Sequence, residues 1–106
     1  MQQIKNIKPK QLTEGIAGYY AHGENMTLGL VELKAGSHVA IHQHIHEQVT
    51  YLIEGEMKMN IDGKEYLLTP GSYHVIPSNV LHGAYAVTDC KVIDAFAPVR
   101  EEYKTQ

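Results

Sequence analysis

Short runs of β-forming residues, separated by turn residues, are the feature that most constrains the fold of this chain. Runs such as QVTYLI (48–53), MKMNI (57–61) and KVIDAFA (91–97) are bounded by glycine, proline or acidic turn residues. The pair Asp62-Gly63 favours a tight hairpin turn with positive φ. No window keeps a 3.6-residue apolar period. The pattern predicts an all-β domain of about eight short strands, closed into a small antiparallel barrel or jelly roll.

The length and composition predict one small domain. The chain has 106 residues, of which 43% are hydrophobic and 20% are charged, as in ordinary globular proteins. We predict a single domain over residues 1–106. Within it, residues 1–14 form a polar N-terminal extension over the body, and residues 101–106 form a solvated C-terminal tail.

Charge and hydropathy argue against two classes of partner. The formal net charge of -3 disfavours nucleic acid, which requires a basic face. No apolar run is long enough to cross a bilayer, and the N-terminus MQQIKNIKPK does not resemble a signal peptide. The single cysteine, Cys90, leaves no internal disulfide. We therefore expect a cytoplasmic protein without nucleic-acid or membrane partners.

Histidines are concentrated in the segment IHQHIHEQ (41–48). Side chains at alternate positions of a strand share one face, which would align the following four residues: His42, His44, His46 and Gln48. Two imidazoles at positions i and i+2 suit one divalent transition-metal ion. One strand cannot surround an ion, so a third ligand must come from elsewhere. His82, which follows the turn at 77–79, is the best candidate.

Two spaced motifs resemble those of the cupins. The first cupin motif, Gly-x5-His-x-His-x3-Glu-x6-Gly, matches at every spacing, with glutamine in the glutamate position: Gly36, His42, His44, Gln48 and Gly55. The second, Gly-x5-Pro-x-Gly-x2-His-x3-Asn, also keeps its spacing, at these positions: Gly71, Pro77, Asn79, His82 and Ala86. Its second glycine is replaced by Asn79, which tolerates a left-handed turn, and its final asparagine by Ala86.

The cupin resemblance implies a double-stranded β-helix, or jelly-roll barrel, with one metal ion in its mouth. The implied ligands are His42, His44, Gln48 and His82. The ion would be nickel, zinc, iron or manganese. All four accept this ligand set, so the sequence does not identify the metal. Two alternatives remain: a polar barrel interior without metal, and a three-histidine site in which Gln48 only hydrogen-bonds to a ligand. We expect His46 at the surface or beside the ligands. Surface or hydrogen-bonded positions are expected for His22, His38 and His74.

The glutamine in the ligand set bears on the chemistry. Three neutral histidines and one amide leave a divalent ion with a net charge of about +2, whereas a carboxylate would reduce it to about +1. The more positive site is a stronger Lewis acid toward an anionic substrate. It also resists oxidation of the ion, which favours non-redox chemistry on an acidic ligand.

The last apolar run, VIDAFAPVR (92–100), contains a second group of candidate residues. Asp94 lies inside an apolar strand, where an unpaired carboxylate is costly. Asp94, Phe96 and Arg100 have the same parity, so an extended strand would place them on one face. Arginine binds carboxylates with two parallel hydrogen bonds. The alternatives are a structural ion pair between Asp94 and Arg100, and a surface position for Arg100.

This run and the histidine segment together resemble the KdgF-type cupins of pectin and alginate degradation, which carry a D-x-F-x-P-x-R-E run. The resemblance implies opening of the ring of 4,5-unsaturated uronates to linear keto sugars. In that reaction Asp94 would transfer protons, Arg100 would hold the substrate and Phe96 would form the pocket wall. It also implies a homodimer and a small acidic sugar as substrate. Two other functions remain open: a cupin dioxygenase, and a non-catalytic module that senses a metal or a sugar.

Overall fold

The computed structural model describes residues 1–104. Within them the chain forms ten β-strands and no α-helix. The strands are β1 (Lys10–Thr13), β2 (Ile16–His22), β3 (Thr27–Leu33), β4 (His38–His42), β5 (Glu47–Glu54), β6 (Met57–Ile61), β7 (Lys64–Leu68), β8 (Tyr73–Ile76), β9 (His82–Ala86) and β10 (Cys90–Ala97). Short 3₁₀ helices cover Ile4–Asn6 and Glu101–Tyr103. Among the described residues, no helix is long and apolar enough to span a membrane.

The strands form two antiparallel sheets. The larger sheet has the order β1-β2-β3-β10-β5-β8, and the smaller one has the order β4-β9-β6-β7. The all-β jelly-roll prediction is confirmed, and the three runs named above correspond to β5, β6 and β10. Gly36, the first residue of the first motif, and the hairpin residue Asp62 both have positive φ. Asn79 also takes the left-handed conformation, with φ of 65°, as its place in the second motif predicted.

Both chain ends differ from the prediction. Within the predicted N-terminal extension, residues 10–13 form edge strand β1, which pairs with β2. The expected solvated tail is wrong for Tyr103, which is partly buried against the core. Its ring lies 4.4 Å from that of Tyr20. Tyr103 therefore closes one side of the barrel interior. Residues 105–106 of the predicted tail lie outside the described residues.

The space between the two sheets holds an apolar core with several polar residues inside it. Ile16, Leu52 and Ile76 are fully buried. Buried polar side chains are the more informative observation, because each needs a hydrogen-bonding partner or a function. They are Thr27, His46, Gln48, Thr50, His82 and Arg100.

Strand register brings the predicted site residues together across the sheets. In the smaller sheet, His42 of β4 is directly opposite His82 of β9. In the larger sheet, β10 pairs with β5 so that Asp94 faces Thr50 and Phe96 faces Gln48. The two members of each pair are distant in sequence, so antiparallel strand pairing is what brings them together.

Candidate metal centre

Three histidines converge at one point between the sheets. One ring nitrogen from each of His42, His44 and His82 lies within 4.8 Å of the corresponding nitrogens of the other two. The ring centroids of His42 and His82 are 4.4 Å apart, and those of His44 and His82 are 4.8 Å apart. Spacings of this size allow three imidazoles to bind a single ion.

Backbone carbonyls orient the three imidazoles. The Nδ1 of His42 lies 2.8 Å from the carbonyl of Ala40, and that of His82 lies 2.9 Å from the carbonyl of Val80. The Nδ1 of His44 lies 3.0 Å from the carbonyl of His46. A carbonyl can only accept, so each Nδ1 carries the proton and each Nε2 keeps its lone pair. Metal-binding histidines are held in the same way.

The environment also keeps His44 and His82 neutral. Burial, reinforced by the charge of Arg100, lowers the pKa of His44 to about 4. Burial likewise lowers the pKa of His82. A neutral imidazole is the form that binds a metal ion, so both rings are ready to act as ligands at neutral pH.

A hydrogen-bonded chain fixes the orientation of the Gln48 amide. The hydroxyl of Thr50 donates to Oδ1 of Asp94 at 2.7 Å, so the Thr50 oxygen accepts from Nε2 of Gln48 at 2.9 Å. The same Nε2 lies 3.3 Å from Oδ1 of Asp94. With the amide nitrogen engaged there, the amide oxygen of Gln48 must point the other way, toward His44.

The contact between Gln48 and His44 therefore joins two acceptors. Oε1 of Gln48 lies 3.1 Å from Nε2 of His44, and the tautomer derived above leaves no proton between them. Two lone pairs this close repel each other unless a cation lies beside both. The donor set of three imidazole nitrogens and one amide oxygen fits a divalent transition-metal ion.

His46 is buried, which excludes the surface position considered from the sequence. Only 7% of its surface is exposed, and its Nδ1 is buried without a hydrogen-bond partner among the described residues. Its ring lies 5.3 Å from that of His44 and 6.4 Å from that of Phe96. Through its carbonyl, His46 supports His44, so it lies beside the cluster.

Asp94 lies at the end of the hydrogen-bonded chain that runs from Gln48 through Thr50. Burial raises the pKa of its carboxyl group to about 6, against the opposing effects of the hydrogen bonds from Thr50 and Gln48. A carboxyl with its pKa near neutrality can exchange protons with a substrate. The structure brings Asp94 next to the histidine cluster through Gln48.

Arg100 lies at the site, but not on the extended strand that its parity with Asp94 assumed. Strand β10 ends at Ala97, so Arg100 is not on an extended strand with Asp94. Its guanidinium lies 4.7 Å from the Phe96 ring centroid and 4.2 Å from that of Tyr103. The surface alternative is wrong, because only 6% of Arg100 is exposed.

Arg100 forms an ion pair, but not with Asp94 as the alternative from the sequence had it. The partner is Glu102, whose Oε2 lies 2.8 Å from Nη2 and 2.9 Å from Nε. Glu102 takes two of the five N–H donors of the guanidinium. The guanidinium donors that Glu102 does not engage can bind a second carboxylate.

Sequence reasoning missed three residues of the pocket. A cavity of about 80 Å³ between the sheets is lined by Tyr20, Thr50 and Tyr103, by every predicted site residue except His44, and by apolar core residues. The Tyr20 ring lies so close to the sheet that a Cβ at Gly18 or Gly29 would approach it within 2.4 to 2.5 Å. Glycines inside a strand pattern are a signal of such close packing.

The other three histidines take no part in the cluster. His38 is exposed, and the ring of His74 packs 4.7 Å from that of Tyr66. Nδ1 of His22 lies 2.9 Å from Oγ1 of Thr27. The exposed position of His38 agrees with the expectation, whereas Nε2 of His22 is buried without a hydrogen-bond partner among the described residues.

Comparison with known proteins places this geometry in a family. The family described as "Cupin domain" matches residues 29–96. The pectin degradation protein KdgF of Dickeya dadantii is 27% identical over 82 residues, which cover 76% of this chain and 74% of that protein. The structure of KdgF from Halomonas sp. superposes with a TM-score of 0.87 and 29% identity, covering 93% of each chain.

A third relative is similar over a shorter stretch. Quercetin 2,3-dioxygenase of Bacillus subtilis is 38% identical over 48 residues, which cover 44% of this chain but only 14% of that protein. The family match spans more than half of the chain and includes all four candidate ligand positions. The chain therefore belongs to the cupin domain family and resembles its KdgF members.

Proposed function

We propose that this protein is an enzyme that uses one divalent metal ion to open the ring of 4,5-unsaturated uronates, giving linear keto sugars. The observation that carries the proposal is the chain of hydrogen bonds from Gln48 through Thr50 to Asp94. It sets a carboxyl group with a raised pKa beside the three-histidine cluster. The likeness to KdgF, a protein named for pectin degradation, supports the same substrate class.

The proposed ligands are His42, His44, His82 and the amide oxygen of Gln48. When bound, the ion supplies Lewis acidity that stabilises negative charge developing on the substrate oxygens. Because the amide adds no charge, the site keeps a net charge of about +2, which favours an acidic substrate. Arg100 binds the substrate carboxylate with the donors that Glu102 leaves, and Phe96 forms the wall beside it.

Asp94 moves the proton in this proposal. Its carboxylate accepts the proton of the anomeric hydroxyl, and a carbonyl forms there as the bond from the anomeric carbon to the ring oxygen breaks. The electron pair of that bond remains on the former ring oxygen and is shared with the alkene as an enolate. Asp94 then returns the proton to the alkene carbon, so the product is an isomer of the substrate and every atom is conserved.

The direct test follows the ultraviolet absorbance of the conjugated alkene in an unsaturated monouronate. We expect metal-loaded protein to remove the absorbance faster than the spontaneous reaction, and chelation of the metal to restore the spontaneous rate. Absorbance loss at the spontaneous rate with loaded protein would exclude the proposed function. An oxygen electrode in the same assay separates the dioxygenase alternative, which consumes oxygen. Tight uronate binding without turnover would instead indicate a sensing module.

Thr50 has a predicted positioning role that can be tested without any substrate. Thr50→Val removes the hydroxyl that orients Gln48, and we expect metal affinity to fall by about 10-fold to 100-fold. Thr50→Ser keeps the hydroxyl and should keep the affinity. Competition with a chelating dye gives the affinity of both variants and the wild type. Equal affinity of the valine and serine variants would show that the hydroxyl does not orient the ligand.

A further inference from the structure

His22 ends strand β2 with one ring nitrogen that is buried and unpaired. Strand pairing places it in one row with Thr27 of β3 and Phe96 of β10, a row that also contains the predicted ligand Gln48. Its Nδ1 lies 2.9 Å from Oγ1 of Thr27, whereas its Nε2 has no hydrogen-bond partner in the described part of the chain. A buried polar atom without a partner lowers stability, so the presence of His22 here has a reason other than stability.

That reason lies in the hydroxyl group of Thr27, which is fully buried. Its oxygen accepts the backbone N–H of Arg100 at 2.9 Å, and its second partner is Nδ1 of His22. A hydroxyl shielded from water must also donate its own hydrogen, and Nδ1 of His22 is the acceptor beside it. The ring proton of His22 is therefore on Nε2, the atom without a partner. His22 thus orients the Thr27 hydroxyl so that its oxygen faces Arg100.

Thr27 anchors the backbone of Arg100 at the point where the sheet no longer does. Strand β10 ends at Ala97, so Arg100 lies beyond the ladder of hydrogen bonds between strands. Its N–H instead bonds to Thr27, and its carbonyl accepts the N–H of Tyr103 at 3.0 Å. Thr27 belongs to β3, which is an interior strand between β2 and β10. The backbone of Arg100 is therefore tied to a rigid part of the larger sheet.

Glu102 fixes the side chain of Arg100 in a comparable way. One carboxylate oxygen accepts from Nε and Nη2 of the guanidinium, at 2.9 Å and 2.8 Å. The opposite end of the guanidinium, formed by Nη1 and the second hydrogen of Nη2, points away from Glu102. Arg100 lines the cavity, whereas Glu102 does not. Glu102 therefore holds the guanidinium from outside the cavity, and the end that it leaves suits two parallel hydrogen bonds to a carboxylate.

Stability alone does not account for the pair of Glu102 and Arg100. Exposed ion pairs contribute little to the free energy of folding. The neighbouring Glu101 makes a pair of that kind with Lys104 at 3.4 Å, and 73% of its side chain is exposed. The side chain of Glu102 is also 52% exposed, but its partner is a cation that is only 7% exposed and lines the cavity. Contact with that buried cation distinguishes Glu102 from Glu101.

We propose that Thr27 and Glu102 are positioning residues for Arg100, which they hold in the orientation that selects an acidic ligand over a neutral one. Thr27 places the backbone, and Glu102 places the guanidinium. This role deepens the proposed function, on which it rests for the assignment of Arg100 to the substrate carboxylate. The three clustered histidines are oriented by backbone carbonyls and not by these two residues. Acid selection and metal binding should therefore respond separately to substitution.

Titration of zinc-loaded protein with galacturonate and with galactose tests this role, because the two sugars differ in one carboxylate and lack the alkene of the proposed substrate. The ratio of their dissociation constants measures acid selection. Thr27→Val removes the hydroxyl but keeps the shape, and we expect it to reduce the preference for galacturonate about 10-fold, as displacement of a binding group does. Thr27→Ser should keep the preference. Thr88→Val is the matched control, since Oγ1 of Thr88 also accepts a backbone N–H, that of Glu56 at 3.0 Å, but at the other end of β10.

Substitution of Glu102 separates positioning from simple charge neutralisation by the sign of the effect. Removal of a negative charge beside Arg100 would by charge alone tighten the binding of an acid, whereas loss of positioning weakens it. We expect Glu102→Ala to bind galacturonate about 10-fold more weakly than the wild type. Glu102→Gln keeps an oxygen that accepts from the guanidinium and should retain most of the affinity. Glu101→Gln should bind like the wild type. Because Glu102 is half exposed, its variants test the role even if Thr27→Val does not fold.

Two further measurements tell this role from a structural one. Zinc affinity should stay at the wild-type value in every folded variant, and in the ring-opening assay KM should rise with little change in kcat. Equal binding of the two sugars by the wild type would overturn the role. So would an unchanged preference in folded Thr27→Val, or galacturonate binding by Glu102→Ala as tight as that of the wild type. Selection of galacturonate that depends on Thr27 and Glu102, in a protein that leaves the alkene intact, would support the role and exclude the proposed reaction.

Discussion

Replacing His82 with alanine is expected to abolish metal binding and to reduce ring opening to the spontaneous rate. The variant leaves His42 and His44 on one side of the centre with no imidazole opposite them, because β9 supplies only His82. Loss of a direct ligand should lower metal affinity by at least about 100-fold, the upper range seen for supporting residues. Metal titration by calorimetry and the alkene absorbance assay measure the two effects.

The matched control for this variant is His38→Ala. His38 lies on the neighbouring strand β4, is exposed and takes no part in the histidine cluster. We expect its metal affinity and turnover to equal those of the wild type. Since His82 is buried, thermal unfolding of both variants in the absence of metal checks that each is folded. A folded His82→Ala variant with wild-type metal affinity would remove His82 from the ligand set.

Local alternation explains why the histidine cluster could be predicted from sequence. His42 ends β4, and Gln48 follows the start of β5, so motif spacing and strand parity both apply to them. His44 and His46 lie between the strands, where parity has no meaning. Their orientations depend instead on the hydrogen bond from His44 to the carbonyl of His46. The spacing predicted that His44 joins the cluster, whereas the burial of His46 required the fold.

The positions of Arg100, Glu102 and Tyr103 could not be predicted from strand parity and motif spacing. The parity of Arg100 assumed a strand that in fact ends at Ala97, and its position comes from packing on Phe96 and Tyr103. Glu102 and Tyr103 looked like a polar tail because local composition does not show which residues fold back onto a barrel. Thr50 was accessible to sequence reasoning, since it is two residues beyond Gln48 on the same face.

Replacing Asp94 with asparagine is expected to separate proton transfer from metal binding. Asparagine keeps the size of the side chain and an oxygen that can accept from the Thr50 hydroxyl, but it cannot take up a proton from the substrate. We expect turnover to fall by about 10²-fold to 10⁴-fold, the contribution of a positioned acid or base. Metal affinity should change little if His42, His44 and His82 bind the ion. Near-wild-type turnover would exclude Asp94 as the proton carrier.

The same variant should be more stable than the wild type at neutral pH when no metal is bound. In the folded chain, burial raises the pKa of Asp94 to about 6, whereas an unperturbed aspartate has a value of 3.8. The folded wild type therefore holds a proton that the unfolded chain has released, and its stability falls as the pH rises through this interval. Asparagine does not titrate and avoids that loss.

Thermal unfolding of both metal-free proteins from pH 4 to pH 8 measures this difference. We expect the melting temperatures to be similar near pH 4, to separate as the pH approaches 6 and to remain separated above it, with Asp94→Asn the higher. Titration of His44 contributes equally to both proteins and cancels in the comparison. A variant that gains stability while it loses turnover would mean that the Asp94 carboxyl is kept for its chemistry and not for the fold. Parallel melting curves over the whole range would show instead that Asp94 is ionised and well solvated in the folded chain.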